Sequence, residues 1–440
     1  MNHRILLVNP PIYDFSAYDF WLKPYGMLRA AGFLREQADF QLFDFLDRLD
    51  PRVRSGNYRA DLSGRGEFYS EPVTKPHVFA KVRRRYRRYG LPRDEFQKFV
   101  AQEEHFDYAL VQTGMTYWYL GLREVIEDLR TLSPTTKIIL GGVYATLCSR
   151  HAEALGADLV VEGLDLNPLW RFLGLTPRED RLPFWDLYAQ LKSGVLKLAD
   201  GCPFRCTYCS VPQVYPKFRG RPLEFSLQEL EFLVRCGAEH IAFYDDALLF
   251  QADRILEPFL AEVIRRDTRV AFHTPNALNA RFISRRIAQL MIDAGFKNIY
   301  LGFESSAYSW QKKTGGKVYS EELATAVENL LDAGSDPRDL HAYIIVGHPN
   351  TSEQQVEESM RFAHSLGIRV MLSEFSPIPG TPDGEACRGQ VDLEEPLSHN
   401  KTYFTLLALG DNEINRLKNL AVALNGCLEP EKACQFATPS

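Results

Sequence analysis

Three cysteines stand close together in the segment Gly201-Cys202-Pro203-Phe204-Arg205-Cys206-Thr207-Tyr208-Cys209. This segment follows an apolar run of strand type, so the thiols are predicted to lie on a loop at the carboxyl end of a strand, where sites are usual in parallel folds. Three thiolates can bind three irons of a four-iron four-sulfur (4Fe-4S) cluster and leave the fourth iron open, whereas an electron carrier normally supplies a fourth cysteine. Structural zinc usually requires a second cysteine or histidine pair at a regular interval, and none follows. The spacing therefore predicts a 4Fe-4S site.

The composition indicates a globular protein of more than one domain. The chain has 440 residues, 45% of them hydrophobic and 25% charged, and this length exceeds what a single core usually accommodates. The net charge of -6, from 51 basic and 57 acidic residues, offers no general attraction to nucleic acid or anionic lipid. No apolar run is long enough to span a membrane, and Pro10-Pro11 interrupts the place where a signal peptide would be apolar. We therefore expect a cytoplasmic protein, with free thiols at the five cysteines outside the cluster.

Alternating strand and helix patterns in residues 1–170 predict a doubly wound, Rossmann-like parallel sheet. The predicted strands are Ile5 to Val8, Phe40 to Phe45, Tyr108 to Gln112, Lys137 to Leu140 and Asp158 to Val161. An insertion at about residues 51–105 interrupts the pattern and contains five arginines between Val82 and Tyr89. The first interpretation of this run is a solvated helix. The alternative is a basic surface that recognises an acidic partner or the periphery of a large cofactor.

A linker at residues 171–194 is predicted to lead into a partial (β/α)6 barrel at residues 195–385. Its predicted strands are Val195 to Ala199, His240 to Tyr244, Val270 to His273, Ile299 to Gly302, Ala342 to Val346 and Val370 to Ser373. Residues 386–440 are predicted to form a short helical C-terminal extension. The expected fold class is therefore α/β, with a Rossmann-like domain, a partial barrel and a helical tail.

The spacing C-x3-C-x2-C, with an aromatic residue before the last cysteine, resembles the signature of the radical S-adenosylmethionine (SAM) superfamily. The resemblance extends over about residues 195–385. It implies that the three cysteines hold the cluster, that the amino and carboxylate groups of SAM chelate the open iron, and that SAM is cleaved to a 5′-deoxyadenosyl radical. It also implies SAM contacts from the strand ends. The residues singled out for these contacts are Tyr208, Asp246, Asn276 and Glu304.

Two segments depart from the pattern of this superfamily. The usual G-x-P-G turn after the fifth strand reads Gly347-His348-Pro349-Asn350, and we expect the turn to survive because asparagine tolerates a left-handed conformation. The Gly-Gly-Glu triplet often found after the second strand is replaced by Tyr244-Asp245-Asp246. Asp246 is therefore a candidate for the missing acidic contact.

The amino-terminal domain resembles that of the radical SAM class that binds cobalamin. The matching segments are Leu6 to Pro11, Leu22 to Leu28, Gly141 to Thr146 and Ser376 to Pro382. The resemblance implies cobalamin at the carboxyl edge of the sheet, where Gly141-Gly142 lets a bulky group approach the backbone. The candidate cobalamin contacts are Thr113, Met115, Thr116, Gly141 and Gly142, with Tyr117 and Trp118 also considered to face the corrin.

The segment from Asn9 to Met27 contains no D-x-H-x-x-G loop, which supplies the cobalt-binding histidine of classical cobalamin proteins. The resemblance makes this absence acceptable, because many members of the class hold cobalamin without that ligand. A domain that has lost cobalamin and kept its fold is the alternative.

These resemblances predict a cobalamin-dependent radical SAM methyltransferase that methylates an unactivated carbon. They imply that one SAM methylates cob(I)alamin, that a second yields the radical that removes hydrogen, and that methylcobalamin supplies the methyl group. The alternatives are a rearrangement or cyclisation with the same cofactors and a non-enzymatic cobalamin or iron-sulfur sensor. Methylthio transfer to RNA is disfavoured, because only Cys148 precedes the cysteine cluster where that class carries an additional triad.

The sequence does not identify the substrate. The long basic insertion and the helical tail favour a protein or peptide, with a small secondary metabolite or a lipid as the alternatives. The cofactors imply a reductant such as flavodoxin or ferredoxin. His273, Tyr343 and Glu374 are candidates to line the substrate space.

Overall fold

The computed structural model describes residues 3–53 and 60–428. A five-stranded parallel sheet, the amino-terminal sheet, forms from the predicted apolar runs. Its strands, in spatial order, are Leu159–Val161, Lys137–Gly142, Tyr108–Thr113, His3–Asn9 and Ala38–Asp44. The winding reverses between His3–Asn9 and Tyr108–Thr113, and ligands of doubly wound sheets bind at such a reversal, outside the carboxyl ends of the strands.

Helices cover both faces of this sheet, and each face has its own apolar core. This burial on both sides explains why the strands are continuous apolar runs rather than alternating ones. The helices of this part are Tyr25–Gly32, Arg93–Gln102, Tyr119–Leu132, Val143–Leu147, Ser149–Glu153 and Asn167–Leu173.

Six parallel strands then follow one another in chain order and form the partial barrel, in two hydrogen-bonded sheets. The first sheet contains Ser193–Leu196, His240–Phe243 and Ala271–His273. The second contains Ile299–Glu304, Leu340–Val346 and Arg369–Glu374, with the short strand Leu278–Asn279 beside Ile299–Glu304. The helices around them are Val211–Val214, Leu223–Arg235, Leu256–Arg265, Arg285–Asp293, Tyr308–Lys313, Ser320–Asp332, Glu353–Ser365 and Pro382–Glu385. The predicted α/β fold class is confirmed.

The C-terminal helix, Lys401–Gly426, is interrupted at Gly410, where φ is +77°. Thr402 and Lys418 of this helix donate hydrogen bonds to the carboxylate of Glu374 at the end of the last barrel strand. The preceding residue Asn400 donates to Asp14, so this segment also contacts the amino-terminal part of the chain. Among the described residues, no helix combines the length and the apolar character that crossing a membrane requires.

The arginine-rich run is not a helix. Residues Arg87–Tyr89 form a strand between Ile12–Asp14 and Ser70–Pro72, and Gly66–Glu67 pairs with Tyr18–Asp19. Arg88 is 2% exposed, and its guanidinium donates to both oxygens of the buried Glu124. The prediction of a solvated helix is wrong because the strand pairing turns Arg88 toward a carboxylate that is distant in sequence.

Replacement of Arg88 by methionine is expected to lower the free energy of unfolding by about 3–5 kcal/mol, because Glu124 would remain buried without its counter-charge. Denaturant unfolding measures this change. In the matched control, Lys98→Met, an exposed ion pair on helix Arg93–Gln102 is removed, and no measurable change is expected. An Arg88→Met protein as stable as the control would contradict the structural role of the buried pair.

Two aromatic residues of the amino-terminal part, Phe20 and Trp21, fill the interior of the barrel; we call them the aromatic plug. Trp21 is completely buried and stacks on His273 with ring centroids 4.2 Å apart, while Phe20 contacts Tyr300. Arg65, from the insertion, donates a hydrogen bond to the Tyr300 hydroxyl. Trp21 has φ +59°, which is strained for a bulky residue, so its surroundings must hold it there.

The cysteines outside the cluster are only partly as expected. Cys148, Cys236 and Cys387 are free thiols. Cys427 is disulfide-bonded, so the expectation of a free thiol is wrong for this residue. Cys434 lies outside the described residues.

Candidate active site

One cavity of about 760 Å³ lies between the amino-terminal sheet and the barrel. Its wall on the sheet side lies at the carboxyl ends of the strands. Its wall on the barrel side lies at the carboxyl ends of the barrel strands, which we call the rim. Among the lining residues are Gln112, Thr113, Gly141, Gly142 and Thr146 from the sheet side and Lys197, Tyr215, Tyr244, Asp246 and Asn276 from the barrel side. The cavity therefore joins the two places at which parallel folds usually carry sites.

The deep end of the cavity is an apolar slot beneath the edge of the sheet. It lies between the strands and the helices Tyr25–Gly32 and Asn167–Leu173. Its lining side chains include Met27, Phe33, Leu110, Ile139, Leu169 and Trp170. An apolar slot that contains a tryptophan and a phenylalanine suits a flat aromatic group.

The glycine pair leaves the backbone bare at the mouth of this slot. Gly142 has φ +120°, and a Cβ there would lie 2.4 Å from the carbonyl oxygen of Thr113, so no other residue fits. At Gly141 a Cβ would meet nothing closer than 3.9 Å, so the space beyond it belongs to the cavity. The hydroxyl of Thr113 accepts from the backbone N–H of Ala145, which fixes the turn that follows the glycines. A large planar group can therefore contact the backbone at this edge.

The cysteine loop begins and ends at a two-residue antiparallel ladder, in which Ala199–Asp200 pairs with Arg219–Gly220. Within the loop Cys206 is 9% exposed, and Cys202 and Cys209 are half-buried. Burial raises the pKa of all three thiols, that of Cys209 to about 11, and the nearby ammonium of Lys317 opposes the rise. Metal ions must displace these thiol protons on binding.

In residues 3–53 and 60–428, no three His, Cys, Asp or Glu side chains are grouped as ligands of a single ion. Each thiolate of a 4Fe-4S cluster binds its own iron, so the three cysteines of one loop can supply ligands to three of its irons.

A half-buried ion pair lies beside the cysteine loop. The Nζ atom of Lys317 is 3.6 Å from Oε1 of Glu304, and the two side chains are 23% and 13% exposed. Gly302 makes room for this lysine, because a Cβ at Gly302 would lie 2.6 Å from Nζ. Burial raises the pKa of Glu304, and the charge of Lys317 opposes that rise. Glu304 also has φ +69°, a strained conformation that places its carboxylate at the rim.

The two aspartates after the second barrel strand differ in their surroundings. Asp245 accepts hydrogen bonds from the backbone N–H groups of Leu198 and Ala199, and burial raises its pKa to about 7. Asp246 lines the cavity, and its buried Oδ2 has no hydrogen-bond partner among the described residues. Asn276 donates to the carbonyl oxygen of Tyr244 and lies beside it on the rim. Asp245 therefore supports the backbone, whereas Asp246 is available to a ligand.

Several residues singled out from the sequence lie away from the cavity. Met115 is 49% exposed, and the hydroxyl of Thr116 pairs with the imidazole of His399. Tyr117 is buried, and Trp118 donates to Asp14. Residues Thr116–Trp118 form a 3-10 turn, from which Thr116 contacts the C-terminal segment and Trp118 contacts Asp14 of the amino-terminal part.

The substrate-lining candidates are also engaged elsewhere. Glu374 is bound by the C-terminal helix, His273 stacks on the aromatic plug, and the hydroxyl of Tyr343 donates to the carbonyl of Pro275.

Sequence reasoning missed two cationic residues of the site. Lys197 is 4% exposed and pairs with Asp200 at 3.0 Å. A charged residue within the apolar run Val195 to Ala199 was a usable signal for it. Lys317 follows the Gly315-Gly316 pair more than a hundred residues after the cysteines, and nothing in the sequence connects the two.

Residues 196–363 match the sequence profile of the radical SAM superfamily, so this part of the chain is a radical SAM domain. The chain is 25% identical over 229 residues to an uncharacterized methyltransferase of Pyrococcus horikoshii, a match that covers 51% of this chain and 45% of that protein. It is also 25% identical over 282 residues to the ribosomal protein uS12 methylthiotransferase RimO of a Thermotoga species, which covers 62% of this chain and 60% of the relative. The chain thus spans less than two thirds of either relative.

Among solved structures, the chain has the fold of the radical SAM methyltransferase TsrM from Kitasatospora setae, determined with cobalamin and a 4Fe-4S cluster bound. The TM-score is 0.66 at 16% identity, and the match covers 100% of this chain and 93% of that one. The predicted resemblance to cobalamin-dependent radical SAM methyltransferases is confirmed at the level of the fold.

Proposed function

We propose that this protein is a cobalamin-dependent radical SAM methyltransferase that methylates an unactivated carbon. The observation that carries the proposal is the single cavity with one wall at the glycine edge of the amino-terminal sheet and the other at the rim of the radical SAM barrel. A barrel that used only SAM and its cluster would need no cavity in the sheet. The shared cavity instead supports two cofactors that face one space.

The residues present fit each of the three cofactors. Cys202, Cys206 and Cys209 would hold the irons of the cluster, the slot around Trp170 would take the flat base of cobalamin, and the Gly141-Gly142 edge would support the corrin. When bound, the cluster and SAM supply a radical that removes hydrogen, and cobalamin supplies the methyl group.

The ion pair of Glu304 and Lys317 suits the amino-acid end of SAM. That end carries one ammonium and one carboxylate, and the pair offers one group of the opposite charge to each. The two side chains contact each other in this structure, and a zwitterion would replace that contact with two charge-assisted hydrogen bonds. Asp246, with its unpartnered oxygen, and Asn276 would accept and donate hydrogen bonds farther along the ligand.

Replacement of Lys317 by methionine is expected to weaken SAM binding to the cluster-loaded protein at least tenfold, which is about 1.4 kcal/mol. The physical reason is the loss of the only charge of this pair that can bind a carboxylate. Anaerobic titration calorimetry measures the affinity. Decarboxylated SAM, which lacks the carboxylate, should bind the parent and the variant with affinities within about twofold of each other.

The matched control is Lys312→Met, which removes an exposed lysine from helix Tyr308–Lys313 and should leave both affinities unchanged. If Lys317→Met weakened the binding of decarboxylated SAM as much as the binding of SAM, the lysine would affect SAM binding through the cysteine loop and not by contact with the carboxylate.

We further propose a one-electron carrier such as flavodoxin or ferredoxin as the reductant, because radical SAM cleavage consumes one electron. For the substrate, two arginines of the insertion that favoured a protein or peptide are used inside the molecule: Arg65 and Arg88 bind buried groups, whereas Arg83 and Arg85 are exposed. A protein or peptide is therefore proposed as the substrate from the sequence alone.

The experiment that tests the function is anaerobic reconstitution with iron, sulfide and hydroxocobalamin, followed by desalting and analysis of iron, sulfide and corrinoid. About four irons and one corrinoid per chain are expected. Substrates can then be sought by methyl transfer from labelled SAM. A complete cluster without corrinoid would contradict the proposal and would favour a rearrangement or cyclisation.

A further inference from the structure

His348 stands in the turn where the radical SAM pattern departs from its usual form. Its imidazole is buried, and its Nδ1 atom accepts from the backbone N–H of Asn350 at 3.2 Å and from the indole N–H of Trp310 at 3.4 Å. A nitrogen that faces two N–H donors carries no proton, so the proton of the neutral ring is on Nε2. That atom lies 3.0 Å from Oδ2 of Asp383 and donates to it. The left-handed residue of this turn is Gly347, with φ +79°, and not Asn350.

Asp383 connects this histidine to the cysteine loop. The same oxygen, Oδ2, accepts from the hydroxyl of Thr207, which directly follows Cys206. The backbone N–H of Asp383 also donates to the carbonyl of Thr207 at 3.1 Å. On the other side, the N–H of Thr207 donates to the carbonyl of Thr314 at 3.3 Å. Thr207 is therefore held from two directions by segments that are distant in sequence.

The neighbouring residue of the loop is held as well. Tyr208 stacks on Trp310 with ring centroids 6.0 Å apart and planes 19° apart, and Trp310 is the residue that donates to His348. The two residues between Cys206 and Cys209 are thus fixed by one connected set of side chains. The side-chain exposures of His348 and Asp383 are 0% and 12%, so water competes little for their hydrogen bond.

We propose that Asp383, oriented by His348, is the positioning residue of the cysteine loop and keeps one negative charge beside the cluster. The inference rests on the proposed function, because it requires that the triad hold a cluster. A fixed loop preserves the spacing of the three thiolates and slows cluster loss. A negative charge beside the cluster opposes the addition of an electron and therefore lowers its reduction potential.

The test compares three variants of the reconstituted full-length protein. Asp383→Asn keeps the size of the side chain and removes its charge, so iron content should be preserved. Its reduction potential should rise, seen as at least a threefold higher ratio of reduced to oxidised cluster at a fixed applied potential, measured by electron paramagnetic resonance. Asp383→Ala also removes the side-chain hydrogen bonds to His348 and Thr207, and this variant protein should lose iron to a chelator at least about threefold faster than the parent. Asp336→Asn, in a turn at the start of strand Leu340–Val346, is the matched control and should change neither quantity.

The outcomes separate this inference from the function on which it rests. A parent protein that binds no 4Fe-4S cluster would contradict the proposed function itself. A parent with a complete cluster, whose potential and iron loss are the same in the Asp383→Asn and Asp383→Ala variants, would overturn the role of Asp383 alone. Circular dichroism of each variant shows whether it is folded. If the Asp383→Ala protein is not folded, the reduction potential of the Asp383→Asn protein decides the proposal.

Discussion

Replacement of Cys206 by alanine is expected to lower bound iron from about four atoms per chain to less than about one after anaerobic reconstitution. The variant would leave two thiolates on the loop for a cluster that requires three. Cys206 is also the most buried of the three thiols and lies against the Gly315 turn. Iron and sulfide analysis, with the visible absorbance of the cluster, measures the loss. The corrinoid should be retained, because none of the three cysteines lines the cavity.

The matched control is Cys236→Ala, which removes a free thiol at the end of helix Leu223–Arg235. This variant should bind as much iron as the parent protein. Four irons retained in the Cys206→Ala protein would mean that the cluster has other ligands, and the assignment of the triad would fail.

Replacement of Gly141 by leucine is expected to weaken corrinoid retention at least tenfold without loss of the cluster. The Cβ atom fits without a clash, and the rest of the leucine side chain would enter the cavity at the edge where the corrin is proposed to lie. Because the backbone conformation is unchanged, the melting temperature should stay close to that of the parent. Absorbance of the desalted protein gives the corrinoid content, and iron analysis gives the cluster content.

Gly389→Leu serves as the control, since a Cβ at Gly389 meets nothing within 4 Å and this residue lies outside the cavity. It should retain both cofactors. Equal corrinoid content in the Gly141→Leu and parent proteins would mean that the corrinoid does not lie at the glycine edge. The main support for methyl transfer would then be lost.

The fold was predictable because its signals are local. The apolar runs such as Ile5 to Val8 and Lys137 to Leu140 form strands that are buried on both faces, and the structure confirms them. The cysteine triad was visible for the same reason, since its three members occupy a span of eight residues. Gly141 and Gly142 were recognisable because only glycine permits such a bare edge, and both line the cavity.

The remaining features depend on contacts that the sequence does not encode locally. Lys317 becomes part of the site through its contact with Glu304, and its relation to the cysteines arises only when the loop around Gly315 packs on Cys206. In the sequence Arg88 is one of several arginines that were predicted to be solvated. In the structure it binds Glu124, which is 36 residues away in the chain. Met115 and Thr116 were predicted to contact the cofactor because they closely follow a strand end. A 3-10 turn begins there, and neither residue lines the cavity. Turn geometry of this kind is decided by tertiary packing.

Phe20 and Trp21 precede the barrel by more than 170 residues, yet they complete its interior. A barrel of six strands is not closed, and in this protein side chains from the amino-terminal part of the chain pack against residues of its strands. A barrel excised at its first strand would expose the rings of His273 and Tyr300 to water.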